Sequence, residues 1–254
     1  MTSVIGNLQQ VQQRIAAACA AAGRPVDEVT LLAVSKTFPA EAVSEAFAAG
    51  ARSFGENYVQ EALDKIATLA DLRRQLQWHL IGPLQSNKTR PVAEAFDWVH
   101  SVDRLKIAQR LAEQRPPPLG PLQLCLQVNI SGEASKSGVL PAEAAALALA
   151  VTALPAERVQ LRGLMAIPEP AGDAAAQRAP HRALRELMAA VNAQLQQAGR
   201  ASRLDTLSMG MSADLEAAIA EGATLVRVGT AIFGGRSAPP RGEPSPCKWG
   251  GAGA

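Results

Sequence analysis

Eight short apolar runs, separated by alanine-rich stretches of helical pattern, constrain the fold of this chain more than any other feature. The runs are Thr30–Ser35, Arg52–Gly55, Trp78–Ile81, Trp98–Ser101, Leu122–Ile130, Val159–Met165, Leu204–Met209 and Thr224–Val228. Helix-like segments include Ala40–Ala49, Val59–Arg74, Arg104–Glu113, Ala142–Ala153, His181–Ala198 and Ala213–Ala220, and one more, Val4 to Ala22, precedes the first run. Gly50, Gly199 and Gly222 stand just past helical runs, where a left-handed C′ residue is wanted. Strands alternating with helices predict right-handed βαβ units on a parallel sheet. Eight such strands close into a barrel, and 254 residues match the about 250 typical of one. The expected fold is therefore α/β, a single (β/α)8 TIM barrel over residues 1–236 with an extra N-terminal helix.

Three segments fall outside this rhythm. Arg115 to Pro121 carries four prolines and reads as a stiff connector. Pro168–Pro180 reads as a mobile loop after the sixth strand. Residues 237–254, rich in Pro and Gly and without periodicity, read as a disordered tail.

Composition narrows the function classes. A net charge of +2 is too near neutral for nucleic acid or an anionic membrane as the main partner. No apolar stretch approaches the roughly 18 residues of a membrane span, and the N-terminus lacks the basic start and apolar core of a signal peptide. Cys19, Cys125 and Cys247 are odd in number and far apart, as expected of reduced thiols in a cytoplasm. Cys125, inside an apolar run, reads as core.

The chemistry of a parallel barrel gathers at the C-terminal ends of its strands, with phosphate sites common after strands seven and eight. Lys36 ends the first run; an ammonium there loses hydration, acquires a lowered pKa and becomes a better nucleophile toward an aldehyde. The bland alternative is a lysine that snorkels to solvent. At the same end of other strands stand Gly55-Glu56-Asn57-Tyr58, His79-Leu80-Ile81-Gly82, Asn129-Ile130-Ser131-Gly132, Ser208-Met209-Gly210-Met211-Ser212 and Gly229-Thr230. Gly210 and Gly229 permit close backbone approach to an anion, and Ser208, Ser212 and Thr230 offer hydroxyls. Helices starting near Ala213 and Ala231 would aim their positive ends at the same spot. Ser212 equally suits a helix N-cap. Strand alternation puts Arg227 on the face opposite Val226 and Val228, hence inside the barrel, where a guanidinium needs a carboxylate, carbonyls or a ligand acceptor.

An aldehyde-seeking lysine, a phosphate cradle and an inward arginine together describe a site for pyridoxal 5′-phosphate (PLP). The motifs Leu32-Ala33-Val34-Ser35-Lys36-Thr37, Phe54-Gly55-Glu56-Asn57-Tyr58, Trp78 to Lys88, Ser208 to Ser212 and Val226 to Gly234 also resemble those of the YggS/PROSC pyridoxal phosphate homeostasis proteins, over about residues 4–236. That resemblance implies the alanine racemase N-terminal barrel (fold type III), a Schiff base on Lys36 and no established turnover. It further implies Asn57, Ser208, Met209, Gly210, Arg227, Gly229 and Thr230 as cofactor contacts and apo PLP-dependent enzymes as partners, while a cytoplasmic place is expected from composition and a monomer from a barrel of this size. Two features depart or stand apart. Phe38 occupies a position where many members carry a second lysine. Lys136 matches a family lysine proposed to hold cofactor secondarily, while on chemistry alone it is a solvated loop residue.

The alternative is an amino-acid racemase of the same barrel type. Racemisation wants two opposed acid–base groups, and the resembling racemases take one from a tyrosine in a separate C-terminal domain. This chain ends about where that domain would begin, and its one tyrosine is Tyr58. An arginine at the ring nitrogen also weakens the electron sink a carbanion needs. Nucleotide binding through Gly82 to Thr89 fails because Asn87 replaces the second glycine of a phosphate-wrapping loop. Metal binding finds only His79, His100 and His181, scattered in sequence.

Overall fold

The computed structural model describes residues 3–133, 136–169 and 172–235; the expected tail, 237–254, lies outside them. Eight parallel strands hydrogen-bond in sequence order and close on themselves, β8 against β1. They are β1 (Thr30–Val34), β2 (Ser53–Glu56), β3 (Gln77–Leu80), β4 (Trp98–Val102), β5 (Leu122–Gln127), β6 (Val159–Met165), β7 (Thr206–Ser208) and β8 (Leu225–Val228). Around them run α1 (Val4–Ala21), α2 (Ala40–Ala48), α3 (Val59–Thr68), α4 (Thr89–Ala95), α5 (Leu105–Gln114), α6 (Pro141–Val151), α7 (Ala174–Gln197), α8 (Leu215–Ala220) and α9 (Thr230–Phe233). The expected barrel is the one observed. Its core follows from near-continuous Leu and Val in the strands, buried by helices on one side and by each other on the other. Leu32, Leu80, Leu124, Leu126 and Leu164 are fully buried, each contributing about 1.5–3 kcal/mol relative to exposure.

The extra helix α1 steadies the last part of the barrel. Its Leu8, Val11, Ile15 and Cys19 lie on one face at helical spacing and are buried, and the Ser3 hydroxyl caps its start by accepting from Gly6 N–H. From the edge of that face Asn7 donates to Ile232 O at 2.9 Å, and Arg14 pairs with Glu216 at 2.9 Å and donates to Ser212 O at 3.0 Å. Arg24 donates to Ile219 O and Ala223 O at 2.8 and 2.9 Å. These bonds tie α1 to the segments flanking β8.

Several boundaries differ from expectation, each for a local reason. The segment Pro168–Pro180 is not all loop: α7 begins at Ala174, because the Asp173 carboxylate accepts from Ala176 N–H at 2.8 Å and starts the helix before Pro180. Pro180 is then carried in the second turn, where it removes one hydrogen bond without ending the helix. Val59–Arg74 divides into α3 and a 3₁₀ turn at Ala70–Leu72. The connector before β5 is held less by its prolines than by Arg115. Its guanidinium is buried and donates to the carbonyls of Ala93, Phe96, Leu119 and Gly120. Cys125 is core as expected, burial pushing its thiol up to about 12.

Candidate functional site

Register fixes where the site can be. Leu32 of β1 lies opposite Arg227 of β8, and Val34 opposite Gly55 of β2. Gly229 packs so close to β1 that a Cβ there would meet Val34 O at 3.1 Å. The residues following β1, β7 and β8 therefore share one sector of the C-terminal rim.

Lys36 lies two residues beyond β1, half-buried in a turn, rather than at the strand's last position. Both of its neighbours are pinned by one buried ion cluster. Lys65 of α3 donates from Nζ to Ser35 O, Glu56 Oε1 and Glu61 Oε1, each at 2.7 Å. Ser35 Oγ donates to the same Glu56 oxygen at 2.6 Å, and Thr37 N–H donates to Glu61 Oε1 at 2.5 Å. Thr37 adopts φ +68°, the one non-glycine residue in the left-handed region among the described residues. Burial pushes the Glu56 carboxyl up, against the opposing pull of Lys65. The turn carrying Lys36 is thus strained and clamped at both ends.

Arg227 points into the barrel as alternation required and is 4% exposed. It meets no carboxylate: Nη1 donates to Ser208 Oγ and Nη2 to Ala166 O, both at 2.8 Å. Burial pulls its pKa down to about 10, Asp214 and Cys125 partly offsetting that. It stays charged at neutral pH. Its N–H donates to Gly210 O at 2.9 Å, which joins the loop after β7 to β8. Gly210 needs its freedom: at φ +89° a Cβ would stand 2.4 Å from Ala218 Cβ. Met209 is wholly buried and donates its N–H to Leu225 O.

The helices expected near Ala213 and Ala231 are short and displaced. α8 starts only at Leu215, and Asp214, not Ser212, stands at its cap position. Asp214 instead accepts from Met211 N–H at 2.6 Å and bonds His181 Nε2 at 2.9 Å. Burial alone would raise its carboxyl, but those two bonds hold it below its usual range. α9 begins at Thr230 with Gly229 as its cap residue. Helices of six and four residues contribute little macrodipole, so an anion here would rely on loop N–H groups and the Thr230 hydroxyl, the Ser208 hydroxyl being buried between Arg227 and His100. Phe38, where the lysine was missing, stacks on Phe233 of α9 with ring centroids 5.2 Å apart.

Asn57 follows β2, the strand paired with β1. With Gly82, Asn129 and Lys136 it lines a cavity of about 240 Å³, and its buried Oδ1 has no partner among the described residues. Lys136 Nζ lies 3.1 Å from a Glu133 carboxylate oxygen and 3.6 Å from one of Glu169. Tyr58 is 57% exposed at the start of α3.

Sequence reasoning missed the inside of the barrel. His79 and His100, scattered along the chain, bond ring to ring at 3.0 Å, and His100 Nδ1 lies 2.8 Å from Ser208 Oγ. The signal was the parity of β3 and β4: each histidine alternates with core residues on its strand. No group of three or more metal-ligating side chains forms among the described residues. No helix among them is long and apolar enough to cross a membrane.

The barrel, with its lysine past β1 and arginine within β8, belongs to the family of the alanine racemase N-terminal domain, whose profile matches residues 6–237. The chain is 62% identical over 236 residues to the pyridoxal phosphate homeostasis protein of Pseudomonas aeruginosa, covering 93% of this chain and 97% of that one. It is 53% identical over 237 residues to the protein of that name in Escherichia coli K12, covering 93% and 98%. Among solved structures, PipY of Synechococcus elongatus PCC7942 with PLP bound superposes with a TM-score of 0.77 at 42% identity, covering 91% of this chain and all of that one. Alanine racemase of Corynebacterium glutamicum shares the fold at 16% identity, TM-score 0.63, this chain matching 60% of its length.

Proposed function

We propose that this chain is a cytoplasmic PLP-binding protein of cofactor homeostasis, which holds PLP and hands it to apo-enzymes without turning over a substrate of its own. Arg227 carries the reading. A buried guanidinium with five donors and no carboxylate spends one on a hydroxyl and one on a carbonyl. That leaves further donors for a neutral ring nitrogen. The remaining residues suit the rest of the ligand. Lys36 supplies the amine for the aldehyde. Met209, Gly210, Gly229 and Thr230, with the backbone of Ser208, surround the phosphate, and Asn57, with its orphaned buried oxygen, stands at the end of β2 beside β1. When bound, PLP supplies an electrophilic aldehyde and an electron-withdrawing ring. Arg227, a permanent donor, keeps the ring nitrogen unprotonated and so weakens that ring as an electron sink. Tyr58, largely exposed, is a poor second acid–base group. These two features favour binding over racemisation, and the names of the relatives at 53 and 62% identity point the same way.

The test is direct. Protein loaded with PLP should show a visible absorption band, and borohydride should fix the cofactor to Lys36 in a peptide digest. Label on another lysine, or none, sinks the assignment. Exchange of the alanine α-proton at an ordinary enzyme's roughly 1–10³ per second would instead establish a racemase. A single symmetric species by light scattering should match a monomer.

A further inference from the structure

A line of four polar side chains crosses the barrel core from Arg227 to the opposite mouth. Arg227 Nη1, Ser208 Oγ, His100 and His79 follow one another at 2.8, 2.8 and 3.0 Å. All four are at most 4% exposed. Burial drives both imidazoles toward the neutral form, His79 down to about 3 and His100 well below its ordinary value, His79 and Arg227 adding to the effect on His100. The sense of the line follows from donor counting. A guanidinium only donates, so Ser208 Oγ accepts from Arg227. If Ser208 then donates to His100 Nδ1, His100 carries its proton on Nε2 and donates to His79 Nδ1. His79 in turn carries its proton on Nε2. The reverse sense would strand the Ser208 hydroxyl proton as well as His79 Nε2, and would turn a donor's dipole toward the guanidinium. The first sense leaves a single group over: His79 Nε2 has no partner among the described residues.

That last group is buried, on a residue that borders the barrel's N-terminal cavity. The cavity, of about 390 Å³, is lined at the strand starts by Thr30, Gln77, Trp98 and Thr206, and by Thr224 just before β8. The Trp98 ring is held parallel to His79 at 5.4 Å, with the Arg162 guanidinium 5.3 Å from its centroid. Arg162 is itself taken up by Asp205 and Gln123, which leaves the cavity no free cation for an anionic ligand and suits it to water.

We propose that His79 and His100 are positioning residues of a one-way hydrogen-bond chain that runs from the N-terminal cavity through Ser208 and fixes Arg227 at the cofactor ring. This rests on the reading that Arg227 meets that ring. The chain helps a charged donor stay buried without a carboxylate in contact, because each lone pair offered to it is backed by a proton handed on. Replacing Ser208 or His100 should therefore loosen Arg227, even though neither imidazole touches cofactor.

Two measurements test it. In apo-protein labelled with ¹⁵N-histidine, long-range ¹H–¹⁵N spectra should show His79 and His100 as neutral Nε2–H tautomers that do not titrate between pH 5 and 8. An Nδ1–H tautomer at either, or a midpoint near the ordinary value of about 6.5, overturns the chain. In PLP titrations, His100→Phe should weaken affinity about tenfold, one lost buried hydrogen bond in scale, and His100→Asn, which keeps an acceptor where Nδ1 stood, should recover most of it. Equal affinity in wild type and a folded His100→Phe also overturns the proposal. Should His100→Phe not fold, His79→Phe, which keeps the stack on Trp98, should still weaken PLP roughly threefold; no change rejects the chain. If wild type binds no PLP at Lys36, the cofactor reading fails, while the tautomers still decide the chain.

Discussion

The molecule buries polarity in two unlike ways on either side of one site. Behind Lys36, Glu56, Glu61 and Lys65 form an ion cluster between β2 and α3, with the Glu56 side chain wholly buried and that of Lys65 6% exposed. Behind Arg227, the barrel core offers no counter-ion, only a serine, a carbonyl and two imidazoles that burial keeps neutral. The cluster grips backbone: a carbonyl on one flank of Lys36 and an N–H on the other. The chain grips a side chain. An amine that must be delivered by a turn needs its turn held, whereas an arginine on a strand already has its backbone fixed by the ladder. The two arrangements should respond differently to mutation and to acid.

The largest effect belongs to the cluster. Lys65→Met leaves Glu56 buried without its partner and should cost about 3–5 kcal/mol in urea unfolding. Adding Glu56→Gln should return more than half of that loss, because the stranded charge goes with it. A cost under about 1 kcal/mol for the single change would mean that the cluster contributes little. Lys36 labelling by borohydride should slow in the single mutant even where it remains folded.

Acid separates the two regions by sign. His79 has a folded pKa of about 3, far below the roughly 6.5 of an unfolded histidine. Its neutral burial contributes stability that is complete above pH 6.5 and is lost as pH falls toward the folded value. Between pH 7 and 5 that loss is about 2 kcal/mol for His79, and His100 acts in the same direction. Glu56 runs the other way. Its folded pKa is raised, chiefly by burial, so the folded state takes up its proton at higher pH than the unfolded chain does, and acidification through that range favours folding. Denaturant midpoints from pH 7 to 5 should therefore fall in wild type, and over the range in which Glu56 takes up its proton they should fall faster in Glu56→Gln. A flat profile in Glu56→Gln, where the opposing group is gone, would show that the imidazoles are not held neutral.

How much of this was legible in the sequence depended on whether a residue's role was local or came from closure of the barrel. Strand number, Lys36, Arg227 and the loops after β7 and β8 could be read directly, because each depends on period-two alternation or on position at a strand end. The inward direction of Arg227 needed only its valine neighbours. The histidine chain could not be read this way: His79 and Ser208 are brought together by the curvature of a closed sheet, 129 positions apart in the chain. Lys65 stands four residues after Glu61 on α3, a spacing that does not by itself distinguish a surface pair from a buried one. Only the descent of α3 against β2 turns it inward. The expected loop Pro168–Pro180 overlapped the start of α7, because the Asp173 cap begins the helix at Ala174 and the helix carries Pro180 within its second turn.

The smallest effect tests whether the strain beside Lys36 is used. Thr37 holds φ +68°, a conformation that costs a residue with a Cβ about 1–2 kcal/mol, while glycine there would forfeit about 0.5–1 kcal/mol of chain entropy on folding. Thr37→Gly should thus raise stability by about 0.5–1 kcal/mol, the one change here expected to stabilise. Its N–H still reaches Glu61, so the clamp survives. What it loses is the restriction on where the turn can go. If strain aims the amine, PLP capture at Lys36 should slow in the more stable protein, the usual exchange of stability against function at a strained site. Stability gained with capture unchanged would place the whole of the aiming in the Glu56–Lys65–Glu61 cluster and none in the backbone of Thr37.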